Sequence, residues 1–266
     1  MKTQALAQAS PDPAQTRGPR DAAARQLVLE LQWNDEPTLD NFEPGANSIA
    51  LQALRALLAG ADASQRALYL WRPPASGKTD LLRAACAAAQ AAGHAAWLLG
   101  PHSPPSHWPS LEQVSAAARG ALLAVDDVQA CNAWQQDWLF GLYNAARQSG
   151  CGFVAAGDAA PAALALRDDL RTRLAWGLCL GLQALDDEAK RRVLARIAAA
   201  HGLPLRDDLS RYILDHHARD MASLVDLLRR LDDFALRHGR AASIPLLKSM
   251  LSEWDRESDP ESPAQP

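Results

Sequence analysis

Residues 72–79 of this 266-residue chain read Arg72-Pro73-Pro74-Ala75-Ser76-Gly77-Lys78-Thr79. An apolar run, Ala67–Trp71, comes before this stretch, and a helix-forming run comes after it. A Gly-Lys-Thr triplet between a predicted strand and a predicted helix is typical of a phosphate-binding loop. Gly77 lets backbone N–H groups turn toward phosphate oxygens, Lys78 would reach the β and γ phosphates, and the Thr79 hydroxyl would bind Mg²⁺. The stretch therefore predicts a site for a nucleotide and a magnesium ion.

The loop departs from the usual pattern at its entry. Arg72 stands where such loops have their first glycine, Ala75 replaces a residue that is often glycine, and the two prolines supply no N–H donors. Ser76 and Asp80, on either side of the triplet, are included among the predicted nucleotide contacts. The alternative interpretation is a decayed loop that binds nothing.

The composition sets limits on the classes of function. The chain is 48% hydrophobic, enough for a sizeable core, and its net charge of −4 provides no basic footprint for nucleic acid, so we expect no sequence-specific DNA binding. The sequence has no apolar stretch that would span a membrane and no signal-peptide core. Four scattered cysteines without Cys-x-x-Cys spacing predict reduced, buried thiols in a cytoplasmic protein.

Apolar strands alternate with amphipathic helices along the middle of the chain, which predicts an α/β fold with a five-stranded parallel sheet. Candidate strands lie at 67–71, 95–99, 121–125, 153–156 and 178–182, and candidate helices at 48–58, 78–92, 134–149 and 161–174. Helices without strands follow at 186–201, 207–216, 221–238 and 244–251. We therefore predict a disordered tail at 1–24, a nucleotide-binding core at 37–183, a helical lid at 184–252 and a second disordered tail at 253–266.

A second acidic motif lies about 40 residues past the lysine. The apolar strand 121–125 ends in Asp126 and Asp127. Because ligands bind at the carboxyl edge of open α/β sheets, Asp126 is predicted to hold Mg²⁺ through water and Asp127 to polarise an attacking water. The alternative is a core strand that runs into an Asp-Asp turn.

Three further polar residues are candidates. Asp158 follows the next predicted strand and would contact the γ-phosphate or orient the water, although an ordinary turn before Pro161 explains it equally. Residues 169–177, Asp-Leu-Arg-Thr-Arg-Leu-Ala-Trp-Gly, contain two arginines. Their planar guanidinium groups suit phosphate oxygens and could act on a nucleotide of a neighbouring subunit. The alternative is a solvated helix end. Arg219 precedes the longest lid helix and would reach bound phosphate or pair with Asp215 or Asp220.

These segments together resemble the DnaA family of AAA+ replication initiators. Residues 37–45, Pro-Thr-Leu-Asp-Asn-Phe-Glu-Pro-Gly, resemble the family's entry segment, which lies beside the adenine and implicates Phe42. Residues 169–177 are similar to its arginine-finger segment, with the finger at Arg173. The resemblance also implies the lid arginine called sensor 2 at Arg219 and a Walker B motif at Asp126 and Asp127.

The chain is further similar to the Hda family, DnaA relatives in which no DNA-binding domain follows the lid. Members carry a sliding-clamp-binding peptide, Gln-Leu-x-Leu-x-Leu, ahead of the core, and Gln26-Leu27-Val28-Leu29-Glu30-Leu31 matches it within residues 25–33. Extended backbone places Leu27, Leu29 and Leu31 on one face for a partner groove, while Gln26 donates or accepts a directional hydrogen bond. Without the family, an arm folded onto its own domain is equally compatible.

The resemblance implies a negative regulator of replication initiation. Such a protein binds ADP or ATP with Mg²⁺, docks on the DNA polymerase III sliding clamp, and promotes hydrolysis of DnaA-bound ATP through Arg173, while its own hydrolysis is slow or absent. An autonomous P-loop ATPase such as a helicase loader is the main alternative, and a DNA-anchoring adaptor for DnaA a third. The sequence does not fix the oligomeric state, and a homodimer is compatible with it.

Overall fold

The computed structural model describes residues 37–60, 66–72, 77–217 and 220–258. Several predicted features lie outside these ranges: the tail 1–24, the clamp peptide with Gln26, Leu27, Leu29 and Leu31, Ser76, Arg219 and residues 259–266. Predictions about these residues stay predictions.

Five parallel strands form one sheet, which confirms the predicted α/β fold. The strands are β1 (Ala67–Trp71), β2 (Ala96–Leu99), β3 (Leu122–Val125), β4 (Gly152–Gly157) and β5 (Leu178–Gly181). Their order across the sheet is β2-β3-β4-β1-β5. The strand β1 pairs with β4 from Ala67 opposite Phe153 to Trp71 opposite Gly157, and its other side pairs with β5. This order places β1 beside the central strand β4, with β5 on its outer side.

Each face of the sheet is buried under helices. The helices α1 (Ser48–Leu58) and α2 (Lys78–Ala91) cover the face that carries Leu68 and Leu70. The helices α3 (Leu111–Ser115), α4 (Ala133–Ser149) and α5 (Asp168–Ala175) contribute to the core on the face that carries Tyr69. Burial on both faces explains why the strands read as continuous apolar runs rather than as alternating ones.

One predicted helix was wrong. The helix expected at 161–174 is a 3-10 turn at Pro161–Ala163 and a separate helix, α5, from Asp168. Between them Leu164 is extended, with φ −75° and ψ 134°, and Leu164 and Leu166 are both buried in the core beside the sheet. Tertiary burial of these two leucines thus outweighs the local helical pattern.

The short helix α3 was missed. It begins with a capping box in which Ser110 and Gln113 exchange side-chain hydrogen bonds with each other's backbone N–H. The loop before it is fixed to α4, because the Trp138 indole N–H donates to the Pro109 carbonyl and Gln135 donates to the Pro101 carbonyl. The Pro- and Ser-rich loop 101–110 is therefore held at both ends by helix α4.

The helical lid follows the sheet and has a hydrophobic core of its own. It comprises α6 (Asp187–Ala200), α7 (Asp207–His216), α8 (Met221–His238) and α9 (Ile244–Ser258). Its buried residues run from Val193 to Met250 and include none from the sheet. The Arg192–Glu43 ion pair, at 2.9 Å, and hydrogen bonds between Asn47 and Gln183 link the lid region to the entry segment.

The lid extends past its predicted end. A disordered tail was expected from residue 253, but helix α9 continues to Ser258. The Arg230 guanidinium lies 3.8 Å from the centre of the Trp254 ring, a cation–π contact between α8 and this last segment. That contact stabilises helix where composition alone indicated disorder. Within the described residues, no helix is long and apolar enough to cross a membrane.

All four cysteines are free thiols, as the sequence predicts. Cys86, Cys131 and Cys151 are buried and Cys179 is partly exposed. Burial raises the pKa of Cys86 and of Cys151 to about 12, and that of Cys131 to about 11. The buried thiols therefore remain protonated at neutral pH.

We predict that Asp220→Ala destabilises the lid through its longest helix. Asp220 caps α8 by accepting a 2.9 Å hydrogen bond from the Ser223 N–H, and losing such a cap costs about 1 kcal/mol. The same hydrogen bond lowers the pKa of Asp220 below 3.8, so its contribution is present above that value and is lost as the pH falls through the native pKa. Urea titration at neutral pH measures the change, and Asp220→Asn, which keeps an accepting oxygen, is the matched control. Equal stability of the two variants would contradict the prediction.

Candidate nucleotide-binding site

Gly77 begins helix α2 at the carboxyl end of β1. It has a left-handed backbone with φ 77° and ψ 12°, and its carbonyl accepts the first helical hydrogen bond from the Leu81 N–H. A Cβ added here would meet nothing within 4 Å, so the requirement for glycine is conformational rather than steric. The turn directs the amino terminus of α2 toward the edge of the sheet where phosphate is predicted to bind.

Lys78 follows Gly77 and is only 6% exposed. Its ammonium donates a 2.8 Å hydrogen bond to the Arg72 carbonyl. Burial lowers the pKa of Lys78, and the negative charges of Asp127, Asp126 and Asp158 act against that shift. Asp126 and Asp127 follow β3 and Asp158 follows the neighbouring β4, so the fold places the acidic residues predicted at two strand ends on the same edge as the lysine.

Thr79 links the loop to the acidic strand end. Its hydroxyl donates a 2.5 Å hydrogen bond to Asp126 Oδ2, while the Asp127 backbone N–H donates to Asp126 Oδ1 at 3.0 Å. One hydroxyl and one carboxylate therefore lie side by side where β1 and β3 end. Oxygen ligands of this kind are the ones that Mg²⁺ prefers.

Asp127 is held in an uncommon backbone conformation. Its φ of 45° and ψ of 48° are left-handed, and it is the one non-glycine residue with positive φ in the described part of the chain. Its exposed carboxylate accepts a 3.2 Å hydrogen bond from the Gln129 side chain. Backbone strain of this kind is concentrated at functional sites, and here it turns the second carboxylate away from the strand direction.

The donors and acceptors at this edge fit a magnesium–polyphosphate group. The Arg72 Nη1 atom is buried and has no hydrogen-bond partner within the described ranges, which is the arrangement a phosphate oxygen would satisfy. Lys78 and the start of α2 supply positive charge, and Thr79 with Asp126 would hold the metal ion. The arginine at the first glycine position would therefore supply a donor to a bound phosphate.

The remaining predicted nucleotide contacts come from separate parts of the chain. Phe42 is half-buried against the core under α1 and α2, and Asp80 is an exposed residue in the first turn of α2. Asp158 is exposed directly after β4. Ser76 and Arg219 lie outside the described residues, so their part in the site remains a prediction.

Arg173 lies at the opposite edge of the sheet. Gly177 packs so closely on the start of β1 that an added Cβ would stand 2.4 Å from the Ala67 carbonyl oxygen. This contact seats the Trp176-Gly177 pair at the amino edge, and the Arg173 guanidinium lies 4.0 Å from the centre of the Trp176 ring. The five residues of β1 span roughly 16 Å, which is the distance between the two edges of the sheet along this strand.

Arg173 as the arginine finger stays a prediction, and the aromatic residues around it were not predicted. The guanidinium stacks on Trp176 and lies 5.5 Å from the Phe140 ring centre. The Trp-Gly dipeptide was the available signal, although nothing in the sequence connected it to Phe140 on α4.

Comparison with known proteins agrees with this geometry. Residues 187–251 match the family described as the lid domain of Hda. The chain is similar to Hda in its lid and to DnaA in its fold. Domain III of the Thermotoga maritima replication initiation protein DnaA aligns with a TM-score of 0.69 at 19% identity, covering 83% of this chain and 97% of that one.

Two other solved structures extend the likeness. AMPPCP-bound DnaA from Aquifex aeolicus has a TM-score of 0.65 at 18% identity, covering 86% of this chain and 71% of that chain. The Thermotoga maritima RuvB Holliday junction branch migration motor has a TM-score of 0.61 at 17% identity, covering 83% and 73% respectively. The fold is therefore that of an AAA+ domain with a helical lid, as the sequence predicted.

We predict that adenine nucleotide binding depends on Lys78 and Thr79. Lys78→Ala removes the charge that would meet the phosphates, and we expect affinity for fluorescent ADP to fall roughly ten- to a hundredfold, the effect of losing a charged hydrogen bond. Thr79→Ala should abolish the part of the affinity that depends on Mg²⁺, whereas Thr79→Ser, which keeps the hydroxyl, should retain it. Titrations with Mg²⁺ and with a chelator measure both effects. Wild-type affinity in Lys78→Ala would show that the loop does not bind phosphate.

Proposed function

We propose that this protein is a negative regulator of replication initiation that binds adenine nucleotide and activates hydrolysis of ATP held by DnaA. The observation that carries this proposal is the match to the Hda lid domain in a chain with a DnaA-like fold. The Aquifex aeolicus DnaA structure contains AMPPCP, which supports an adenine nucleotide as the ligand here. The protein acts in the cytoplasm on DnaA engaged with the replication machinery.

The position of Arg173 favours action on another protein. Arg173 stacks on Trp176 beside the start of β1, whereas α2 begins past the other end of that five-residue strand, which is roughly 16 Å long, so action on a phosphate bound by another protein is favoured. A guanidinium supplied in trans stabilises the charge that develops during phosphoryl transfer and raises the rate greatly. Arg173 would therefore contact the γ-phosphate of ATP on DnaA, while DnaA supplies the remaining catalytic groups.

The nucleotide on this chain would have a structural role. Lys78 and Arg72 would hold its phosphates, and Thr79 with Asp126 its Mg²⁺, which supplies charge neutralisation between the phosphate oxygens. The lid has its own core and contacts the entry segment through the Arg192–Glu43 pair. Bound nucleotide would thus set the angle between core and lid, with ADP favouring the active form.

The Gln26–Leu31 peptide would recruit the protein to DNA-loaded sliding clamps, so that DnaA is inactivated after synthesis begins. Alternating leucines from an extended segment would fill a groove on the clamp, and Gln26 would fix their register. This proposal rests on the sequence match alone, since the peptide lies outside the described residues.

An autonomous ATPase such as a helicase loader is the second candidate. This alternative is favoured by the grouping of Lys78, Thr79 and Asp126, because such residues bind Mg²⁺ and the phosphates of ATP. Under this alternative, Asp127 would polarise the attacking water within the chain itself.

Single-turnover hydrolysis of ATP prebound to DnaA, in the presence of DNA-loaded clamp, tests the proposal. We expect wild-type protein to accelerate hydrolysis and Arg173→Ala to lose at least about a hundredfold in rate, the low end for removal of a catalytic donor. Arg171→Ala is the matched control, because Arg171 lies on the same helix but pairs with Asp168 at 2.7 Å. Gln26→Ala combined with Leu29→Ala should lose the dependence on the clamp.

Two results would contradict the proposal in different ways. If DnaA keeps its ATP while this chain turns over ATP alone, the autonomous ATPase is correct. If Arg171→Ala is as defective as Arg173→Ala, the loss reflects damage to helix α5 rather than to the arginine finger.

We also predict that Trp176 positions Arg173. The stacked ring limits the directions open to the guanidinium, and an exposed cation–π contact contributes about 0.5–1 kcal/mol. Trp176→Ala should therefore lower the maximal rate of hydrolysis about two- to fivefold, and Trp176→Phe, which keeps an aromatic face, should restore most of it. Identical rates for the alanine and phenylalanine variants would exclude this role.

A further inference from the structure

A cleft opens beside Trp176 at the amino edge of the sheet, away from the phosphate-binding loop. It has a volume of about 420 Å³ and a floor built from the starts of β1 and β4 and the end of α4. Neither the nucleotide nor the proposed arginine finger uses it. Its lining residues are Arg66, Ala67, Tyr143, Arg147, Cys151, Phe153 and Trp176.

The cleft is positively charged on a chain that is acidic overall. Arg147 is exposed and lies 5.4 Å from the centre of the Trp176 ring. Burial raises the pKa of Tyr143, and the charges of Arg147 and Arg173 act against that shift. Arg119 packs nearby, 3.4 Å from where a Cβ on Gly150 would stand.

Helix capping does not account for this charge. Gly150 ends α4, and the carbonyl end of a helix carries only about half a negative charge, which one arginine offsets. Within the described part of the chain, Arg119, Arg147 and Arg173 take part in no ion pair. With Arg173 assigned to the partner's phosphate and one arginine offsetting the helix end, one positive charge among the described residues is left at this edge to meet a ligand.

The shape of the cleft selects among anions. Its volume lies at the low end for ligand sites, room for one or two side chains, and its walls include the rings of Tyr143, Phe153 and the 55% exposed Trp176. Nucleic acid needs a stripe of cations along several phosphates, whereas this cleft is a single hollow lined by both polar and apolar groups. A carboxylate next to an apolar side chain, on the surface of a folded protein, matches both the positive charge and the aromatic walls of the cleft.

We propose that this cleft, bounded by Arg147 and Trp176, receives an acidic segment of the partner protein whose nucleotide Arg173 reaches. The inference rests on the proposed function, because it takes that partner to be ATP-bound DnaA. Arg173 and Arg147 contact the same Trp176 ring, so a segment seated in the cleft lies directly beside the finger. Docking the carboxylate would fix the orientation in which the finger meets the partner's phosphate.

The test measures the concentration of full-length protein that half-saturates hydrolysis of DnaA-bound ATP in single turnovers, with DNA-loaded clamp in excess. Arg147→Glu places a negative charge at the cleft and should raise this concentration at least about tenfold, with a larger effect there than on the maximal rate. Arg147→Lys should be closer to wild type. Arg240→Glu makes the same charge change at an exposed position of the lid and should stay within about twofold.

Ionic strength provides a readout that a purely structural defect would not change. Added salt should weaken the wild-type interaction more than that of Arg147→Glu, since the variant has lost the attraction that salt screens. Thermal unfolding of each variant checks its fold, and Arg119→Glu replaces Arg147→Glu if the latter is unfolded.

The outcomes separate the inference from the proposed function. If wild-type protein accelerates hydrolysis and Arg147→Glu saturates like Arg240→Glu with unchanged salt dependence, the docking inference is overturned and the proposed function stands. If wild-type protein does not accelerate hydrolysis at all, the proposed function fails and the inference fails with it.

Discussion

The pairing of β1 between β4 and β5 is the constraint on which both functional edges depend. This strand enters the sheet against Gly177 and leaves it toward Gly77 and Lys78. A buried parallel strand cannot shorten or slide, because every ladder hydrogen bond and packed side chain would have to move with it. The two edges are therefore held a fixed distance apart, and under the proposed function the arginine at one edge would serve a phosphate bound by a second molecule.

The same sheet order concentrates negative charge at the carboxyl edge of the sheet. Asp126, Asp127 and Asp158 come from two strand ends that the sheet places side by side, and Lys78 is buried among them. Negative charge gathered at one edge favours the approach of cations. Lys78, the amino terminus of α2 and Arg72 at the loop entry supply positive charge at the same edge.

Much of this arrangement could be predicted from the sequence, because apolar runs and helix-starting triplets act locally. The strands began and ended within about two residues of prediction, and the Thr79–Asp126 contact followed from the general rule that strand ends share an edge. Prediction failed where contacts between residues far apart in the sequence determine the local structure. Leu164 and Leu166 are extended because the core needs them, α3 is too short for periodicity to reveal, and Trp254 extends the last helix through an arginine on another helix. The position of the Trp176 ring between Arg173 and Arg147 could not be predicted for the same reason, since the two arginines lie on separate helices.

The state of the thiols has a practical consequence. Burial raises the pKa of the three buried cysteines to about 11 to 12, so they are protonated thiols at neutral pH, and thiolate is the form that alkylating reagents attack. A cysteine introduced on the surface of the lid would react far faster than these three, and only Cys179 would need replacement first. A fluorophore can therefore be attached at one chosen position, and movement of the lid relative to the sheet can be followed while the native core stays intact.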